Sequence, residues 1–108
     1  ISKDLVTKAI LTPEAWRDKP NVLIIAPPPI EEAYYETPIG PEMGKGCAEK
    51  SKALAPLYRE VAARHGCHFL DAGSIPGVGM YPYDHMHLSL EGHRLLAEKL
   101  SVLIPQIC

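Results

Sequence analysis

Apolar positions recur along this chain at two different spacings, and the spacing changes mark its elements. Leu5, Val6, Ala9 and Ile10 fall at helical intervals, followed by Ala15 and Trp16. They predict a short amphipathic helix ending near Leu11, with Thr12-Pro13 as its breaker. Asn21 to Ala26 is instead a continuous apolar, β-branched run bounded by Lys19-Pro20 and Pro27. Such a run predicts a strand buried on both faces, as in a parallel sheet. Pro27 to Gly46 is rich in proline and glycine, which exclude a regular element across most of it; a connection of that length is usually functional or mobile. Helical spacing returns from Glu49 to Arg64 through Leu54, Leu57, Tyr58, Val61 and Ala62. Pro56 should kink that helix or mark a restart, because it lacks an N–H and crowds the carbonyl before it. Gly66 is placed to end it in the left-handed conformation, with Arg64 and His65 near the negative end of the dipole.

Cys67 to Ala72 then predicts a second strand, and Gly73 to Tyr83 a loop. Ser89 is the expected N-cap of a last helix whose apolar face is Leu95, Leu96, Leu100, Leu103 and Ile104, closed by Pro105. Two strands joined by a helical crossover make one right-handed β-α-β unit. Two parallel strands cannot form a well-covered sheet alone. The pattern therefore predicts the second half of a larger doubly wound α/β domain, not expected to fold well without the remainder.

The 108 residues allow at most one compact domain. A hydrophobic content of 46% with 22% charge excludes disorder by composition. A net charge of -2 gives no reason to expect nucleic acid or an anionic membrane as partner. No apolar run approaches the roughly 20 residues of a spanning helix. Cys47, Cys67 and Cys108 are odd in number and lack Cys-x-x-Cys spacing, so no disulfide framework is indicated. Cys67 reads as a small buried hydrophobe in a strand. A reducing compartment, and hence the cytoplasm, is the expected location. The chain opens at Ile1 without a methionine and shows no signal-peptide pattern.

Chemistry concentrates between Tyr81 and His93, which hold three of the five histidines. Asp84 lies three residues before His87, and a turn can bring the two side chains together without help from distant chain. A carboxylate on Nδ1–H fixes the tautomer of an imidazole and supports it once protonated. The pair follows the C-terminal end of a strand, the ligand-binding edge of open α/β sheets. Asp84, His85 and His87 also suit a metal reading, since His-x-His on an extended segment puts both rings on one side. No further ligand cluster is suitably placed, although His65, His68 and His93 exist. His93, a turn into the last helix, reads as a partly exposed helix residue. Ser74 and Ser89 have no Gly-x-Ser-x-Gly elbow to make either a nucleophile. Met80, Tyr81, Tyr83 and Met86 surround the pair, either packing the loop or lining an apolar substrate pocket. Tyr34, Tyr35, Ile39 and Met43 of the long loop suit either a cover over the site or a subunit contact.

The segment from Asp84 to His93, an Asp-x-x-His followed by Leu-Ser-x-Glu-Gly-His, resembles the C-terminal block of the GDSL-type (SGNH) hydrolases. Val22 to Ile30, Lys50 to Tyr58 and Phe69 to Ser74 are similar to segments of the arylesterase-like branch, in the same order, so the resemblance covers nearly the whole chain. It implies the C-terminal part of a flavodoxin-like, three-layer, doubly wound domain, to which this chain supplies about two strands and three helices. It further implies a carboxylic-ester hydrolase acting through a Ser-His-Asp triad, with His87 as general acid–base and Asp84 as its orienting carboxylate. The family's Gly-Asp-Ser nucleophile and the Gly and Asn of its oxyanion hole come from upstream blocks that are not in this sequence. The chain by itself is then expected to be nearly inactive. Small esters are the implied substrates, without metal or organic cofactor and with acyl transfer to acceptors other than water. The implied partners are further copies of the chain, or a chain or segment supplying the N-terminal half. A non-catalytic binding module is the alternative from a different class.

Overall fold

The computed structural model describes residues 2–16, 18–40 and 44–108. Pro41 and Met43 of the long loop lie outside them. Helix α1 (Ser2–Ile10) is followed by strand β1 (Leu23–Ala26), helices α2 (Cys47–Lys52) and α3 (Leu54–His65), strand β2 (His68–Asp71) and helix α4 (Leu90–Ile107). The strands pair in parallel, Leu23 against His68 through Ala26 against Asp71. The expected β-α-β unit is present, and the fold is α/β.

Local chemistry accounts for most boundaries. Asp4 and Lys8 sit at the ends of α1 that suit their charges. Thr12 stops the helix by donating Oγ1 to the Lys8 carbonyl at 2.7 Å. Trp16 folds back to donate Nε1 to Ala9 at 3.0 Å. The predicted Glu49–Arg64 helix begins at Cys47 and divides at Ala53. Pro56 is the reason: its ring and missing N–H forbid the bond to the Lys52 carbonyl, so α3 restarts with Pro56 in its first turn, where the N–H is dispensable. Gly66 ends α3 at φ 66. The Cys67 N–H bonds the Ala62 carbonyl at 2.8 Å and the Gly66 N–H bonds Ala63 at 3.4 Å, a Schellman closure.

Several expectations are corrected. β1 is not buried on both faces: Ala26 is fully buried, but Ile25 is 37% exposed, because among the described residues only β2 pairs with it. Cys67 is half-buried and precedes β2 by one residue; the same partial burial pushes its thiol pKa up. Most of the described part of the long loop is irregular, as expected, with one 3₁₀ helix over Glu32–Glu36, whose Tyr34 is the largest fully buried side chain among the described residues. Tyr34 is therefore an anchor of the loop, and its hydroxyl donates to Ile39 at 2.7 Å. Pro105 does not close α4, which runs to Ile107. It lies in the last turn, where the Cys108 N–H still reaches Ile104 at 3.0 Å. Leu5, Leu57 and Ile104 are exposed. Each lies a residue off the stripe that its neighbours turn inward.

Helix α3 covers both strands and α1 lies beside α3. Arg59 of α3 stacks on Phe69 of β2, 4.6 Å from the ring centre. Helix α4 is tied to the chain before β1 by Asn21 Nδ2, which donates to the Ile107 carbonyl at 2.6 Å. The buried set is small side chains apart from Val6, Tyr34 and Leu70: Ala26, Cys47, Ala48, Ala62 and Ala72. The chain exposes 7467 Å², where a self-contained monomer of its mass exposes roughly 6,000 Å². Its radius of gyration, 15.7 Å, likewise exceeds the roughly 13 Å of a compact chain this long. Much apolar surface is left uncovered.

Candidate active site

A small antiparallel clip carries the site. Met80 bridges Leu88; the Tyr81 N–H donates to the His87 carbonyl at 2.6 Å and the Ser89 N–H to Gly79 at 3.0 Å. The segment between turns back on itself, with the His85 N–H on the Tyr81 carbonyl at 2.8 Å. At its base, Ser89 caps α4 by accepting the Gly92 N–H at 2.9 Å. Gly92 is buried where a Cβ would lie 2.9 Å from the Gly79 carbonyl oxygen. Only glycine lets the first turn of α4 seat against the clip.

Within the clip Asp84 and His87 meet. Asp84 Oδ1 accepts the N–H groups of Met86 at 3.1 Å and His87 at 3.2 Å, an Asx-type turn. Its other oxygen, Oδ2, lies 2.7 Å from His87 Nδ1. The His87 hydrogen bond, with help from the backbone N–H of Met86, holds the Asp84 carboxyl down at about 2. An ionised carboxylate accepts only, so Nδ1 must carry the proton and Nε2 is left as the basic nitrogen. The arrangement can take a proton at Nε2 while keeping the imidazolium paired. The His87 side chain is 73% exposed, open to an incoming group.

Beside His87 is an apolar cavity of about 340 Å³, walled by Ile25, Pro27, Pro28, Leu88 and Leu96 among others. Of the four candidate pocket residues, Met80 and Met86 line it. Tyr81 and Tyr83 do not; they pack on each other with ring centres 5.1 Å apart and are 41% and 77% exposed. His93 also borders the cavity. The metal reading does not gather a set: His85 Nδ1 is on Glu31 Oε1 at 2.9 Å, His87 is on Asp84, and no group of three or more ligand side chains occurs among the described residues. No described serine is paired with His87. Ser51, Ser74 and Ser101 donate to backbone carbonyls, and Ser89 is the cap. Glu31 is a site neighbour that sequence reasoning missed. It lies 54 positions from His85, and no local pattern links them. No described helix is long and apolar enough to cross a membrane.

No family model and no curated protein matches the chain. Solved structures do. A protein of Agrobacterium tumefaciens str. C58 assigned as an arylesterase superposes with a TM-score of 0.78 at 31% identity, covering 99% of this chain and 49% of that one. A carbohydrate acetylesterase family member from Sinorhizobium meliloti gives 0.73 at 29% identity, covering 96% and 48%. The native aryl esterase of M. smegmatis gives 0.75 at 24% identity, over 96% and 48%, and shows the fold alone. The fold thus matches the C-terminal part of SGNH-type esterases. The chain is the counterpart of the C-terminal portion of such a hydrolase, similar to the arylesterase-like branch, and spans about half the length of the solved chains it matches.

Proposed function

We propose that this chain supplies the acid–base arm of a carboxylic-ester hydrolase. The observation that carries the reading is the 2.7 Å contact between Asp84 Oδ2 and His87 Nδ1 at the mouth of an apolar cavity, in a chain similar to esterases. A serine from the remainder of the domain is the nucleophile. His87 Nε2 takes the serine proton as the hydroxyl oxygen adds to the ester carbonyl. It returns that proton to the alcohol oxygen as the C–O bond breaks, leaving an acyl-serine. Water, or another acceptor hydroxyl, then loses its proton to Nε2, attacks the acyl carbon, and the proton goes back to the serine. Asp84 holds the ring and pairs the imidazolium throughout. Family resemblance assigns the oxyanion donors to the serine's own N–H with an upstream glycine and asparagine. No metal or organic cofactor enters this scheme, and Met80 and Met86 contribute to an apolar wall for a small ester.

The uncovered face of β1 and the excess surface fit a chain or segment supplying the N-terminal half, or further copies of the assembled domain. On this reading the isolated chain turns over esters poorly. The same surface, with no described serine beside His87, favours the second reading of a non-catalytic module that pairs with a partner. To decide, the chain is expressed together with the sequence encoded upstream and assayed on p-nitrophenyl acetate. His87→Ala should lower turnover by about 10²- to 10⁴-fold, while His93→Ala, which removes only a side chain bordering the cavity, should not cause a loss of that order. Equal losses reassign the base. No turnover in the parent, with stable binding of a partner chain, supports the module.

A further inference from the structure

We infer that Glu31 is a positioning residue for the Asp84–His87 pair, acting through His85; the inference rests on the esterase reading above. Glu31 touches His85 twice. Its backbone N–H donates to the His85 carbonyl at 3.0 Å, and its Oε1 lies 2.9 Å from His85 Nδ1. His85 is the one non-glycine residue with positive φ among the described residues, at 55°. An L residue adopts that conformation only when its surroundings hold it there.

The conformation matters because of where it falls. His85 stands between Asp84 and the two amides that Asp84 Oδ1 collects, those of Met86 and His87. The left-handed residue turns the chain back so that one carboxylate reaches both amides and the His87 ring. Were His85 to relax to negative φ, the Asx turn would open and Nδ1 would lose its acceptor.

Glu31 is itself held by a stiff arm. Pro27, Pro28 and Pro29 lead from β1 with fixed φ. Ile30 donates its N–H to Ser51 Oγ at 2.8 Å, and Glu32 pairs with Lys52 at 3.2 Å, so α2 braces the residues on either side. The path runs from α2 and the proline arm through Glu31 and His85 to the catalytic pair. The Pro27 to Gly46 loop thus contributes to the site through one carboxylate at its start.

The test uses the full-length hydrolase with p-nitrophenyl acetate. Glu31→Ala should lower kcat by about tenfold with KM within about twofold, the pattern of a misplaced group that does not bind substrate. Glu31→Gln keeps an acceptor oxygen for the ring N–H and should retain at least about half of kcat. Amide exchange at Met86 and His87 should quicken in the alanine variant and not in the glutamine one. His85→Gly and His85→Ala both remove the imidazole contact, but only glycine accepts φ 55 freely. The glycine variant should turn over at least about threefold faster than the alanine variant, and this comparison decides the matter if Glu31→Ala folds poorly. Equal rates for the two His85 variants, or an unchanged kcat and exchange in Glu31→Ala while His87→Ala abolishes turnover, overturn the tether and leave the esterase reading intact. Parental turnover in His87→Ala overturns both.

Discussion

Replacing Asp84 by asparagine separates the electrostatic part of this site from its architecture. The asparagine oxygen can still accept the N–H groups of Met86 and His87, now at 3.1 and 3.2 Å from Asp84 Oδ1, so the turn is preserved. Its NH2 then takes the place of Oδ2, 2.7 Å from His87 Nδ1. A donor there requires Nδ1 to accept, which moves the ring proton to Nε2, the nitrogen that in the proposed mechanism takes the serine's proton. The wrong tautomer in a comparable triad costs about 10⁴-fold in kcat, and a loss of about 10³- to 10⁴-fold is expected in the full-length hydrolase. KM should hardly move, because in the proposed mechanism Asp84 acts only through His87. Steady-state hydrolysis of p-nitrophenyl acetate measures the loss, and the ¹⁵N shifts of the His87 ring report the tautomer. Asp84→Ala is the companion: it removes all three hydrogen bonds, so it should match the kinetic loss and also speed amide exchange at Met86 and His87. An Asp84→Asn enzyme within tenfold of the parent, with the proton still on Nδ1, would refute the assignment of Asp84.

Three further outcomes are expected. The folded-state pKa of Asp84 is depressed from 3.8 to about 2; the order it lends the clip is therefore complete above pH of about 4 and lost as pH falls through about 2. The amide proton signals of Met86 and His87 should titrate with a midpoint near the lower value, and a midpoint near 3.8 contradicts the geometry. Gly92→Ala brings a Cβ to 2.9 Å of a backbone oxygen that cannot swing aside; overpacking of about 1–3 kcal/mol outweighs a helix-propensity gain of about 1 kcal/mol. Its urea midpoint should fall, and an unchanged midpoint would mean that α4 does not seat on the clip. Gly66→Ala meets no atom within 4 Å, so only the backbone penalty of φ 66 remains, about 1–2 kcal/mol. Gly66→Asn should lose less, since asparagine tolerates that conformation; an alanine variant as stable as the parent would exclude the left-handed cap.

Much of this molecule is legible in the sequence because the deciding forces are local. Gly66 had to be the helix end, since the required φ suits little else, and Ser89 had to be a cap once an apolar stripe began after it. The continuous apolar run before Pro27 marks a strand at any level of assembly. Asp84 and His87 are three residues apart, so a turn suffices to join them. Where the pattern misled, position along the element was the cause: Pro105 costs α4 only the bond to the Ser101 carbonyl, so near the helix end that the last turn still forms, and Leu5 and Leu57 fell beside the buried stripe.

The tertiary structure decided what depends on segments far apart in sequence. The parallel register of β1 and β2, the seating of α4 through Gly92 on Gly79, and the meeting of Glu31 with His85 each join residues that no local spacing connects. That Met80 and Met86 line the cavity while Tyr81 and Tyr83 do not likewise depends on the fold, since Ile25, Pro27 and Pro28 of the β1 end form its other wall. The spacing of residues along the chain announces an α/β protein with an Asp-His pair. Only the folded backbone shows that this pair is held in a strained turn, braced from the opposite loop, on a sheet whose exposed Ile25 face still wants a covering layer.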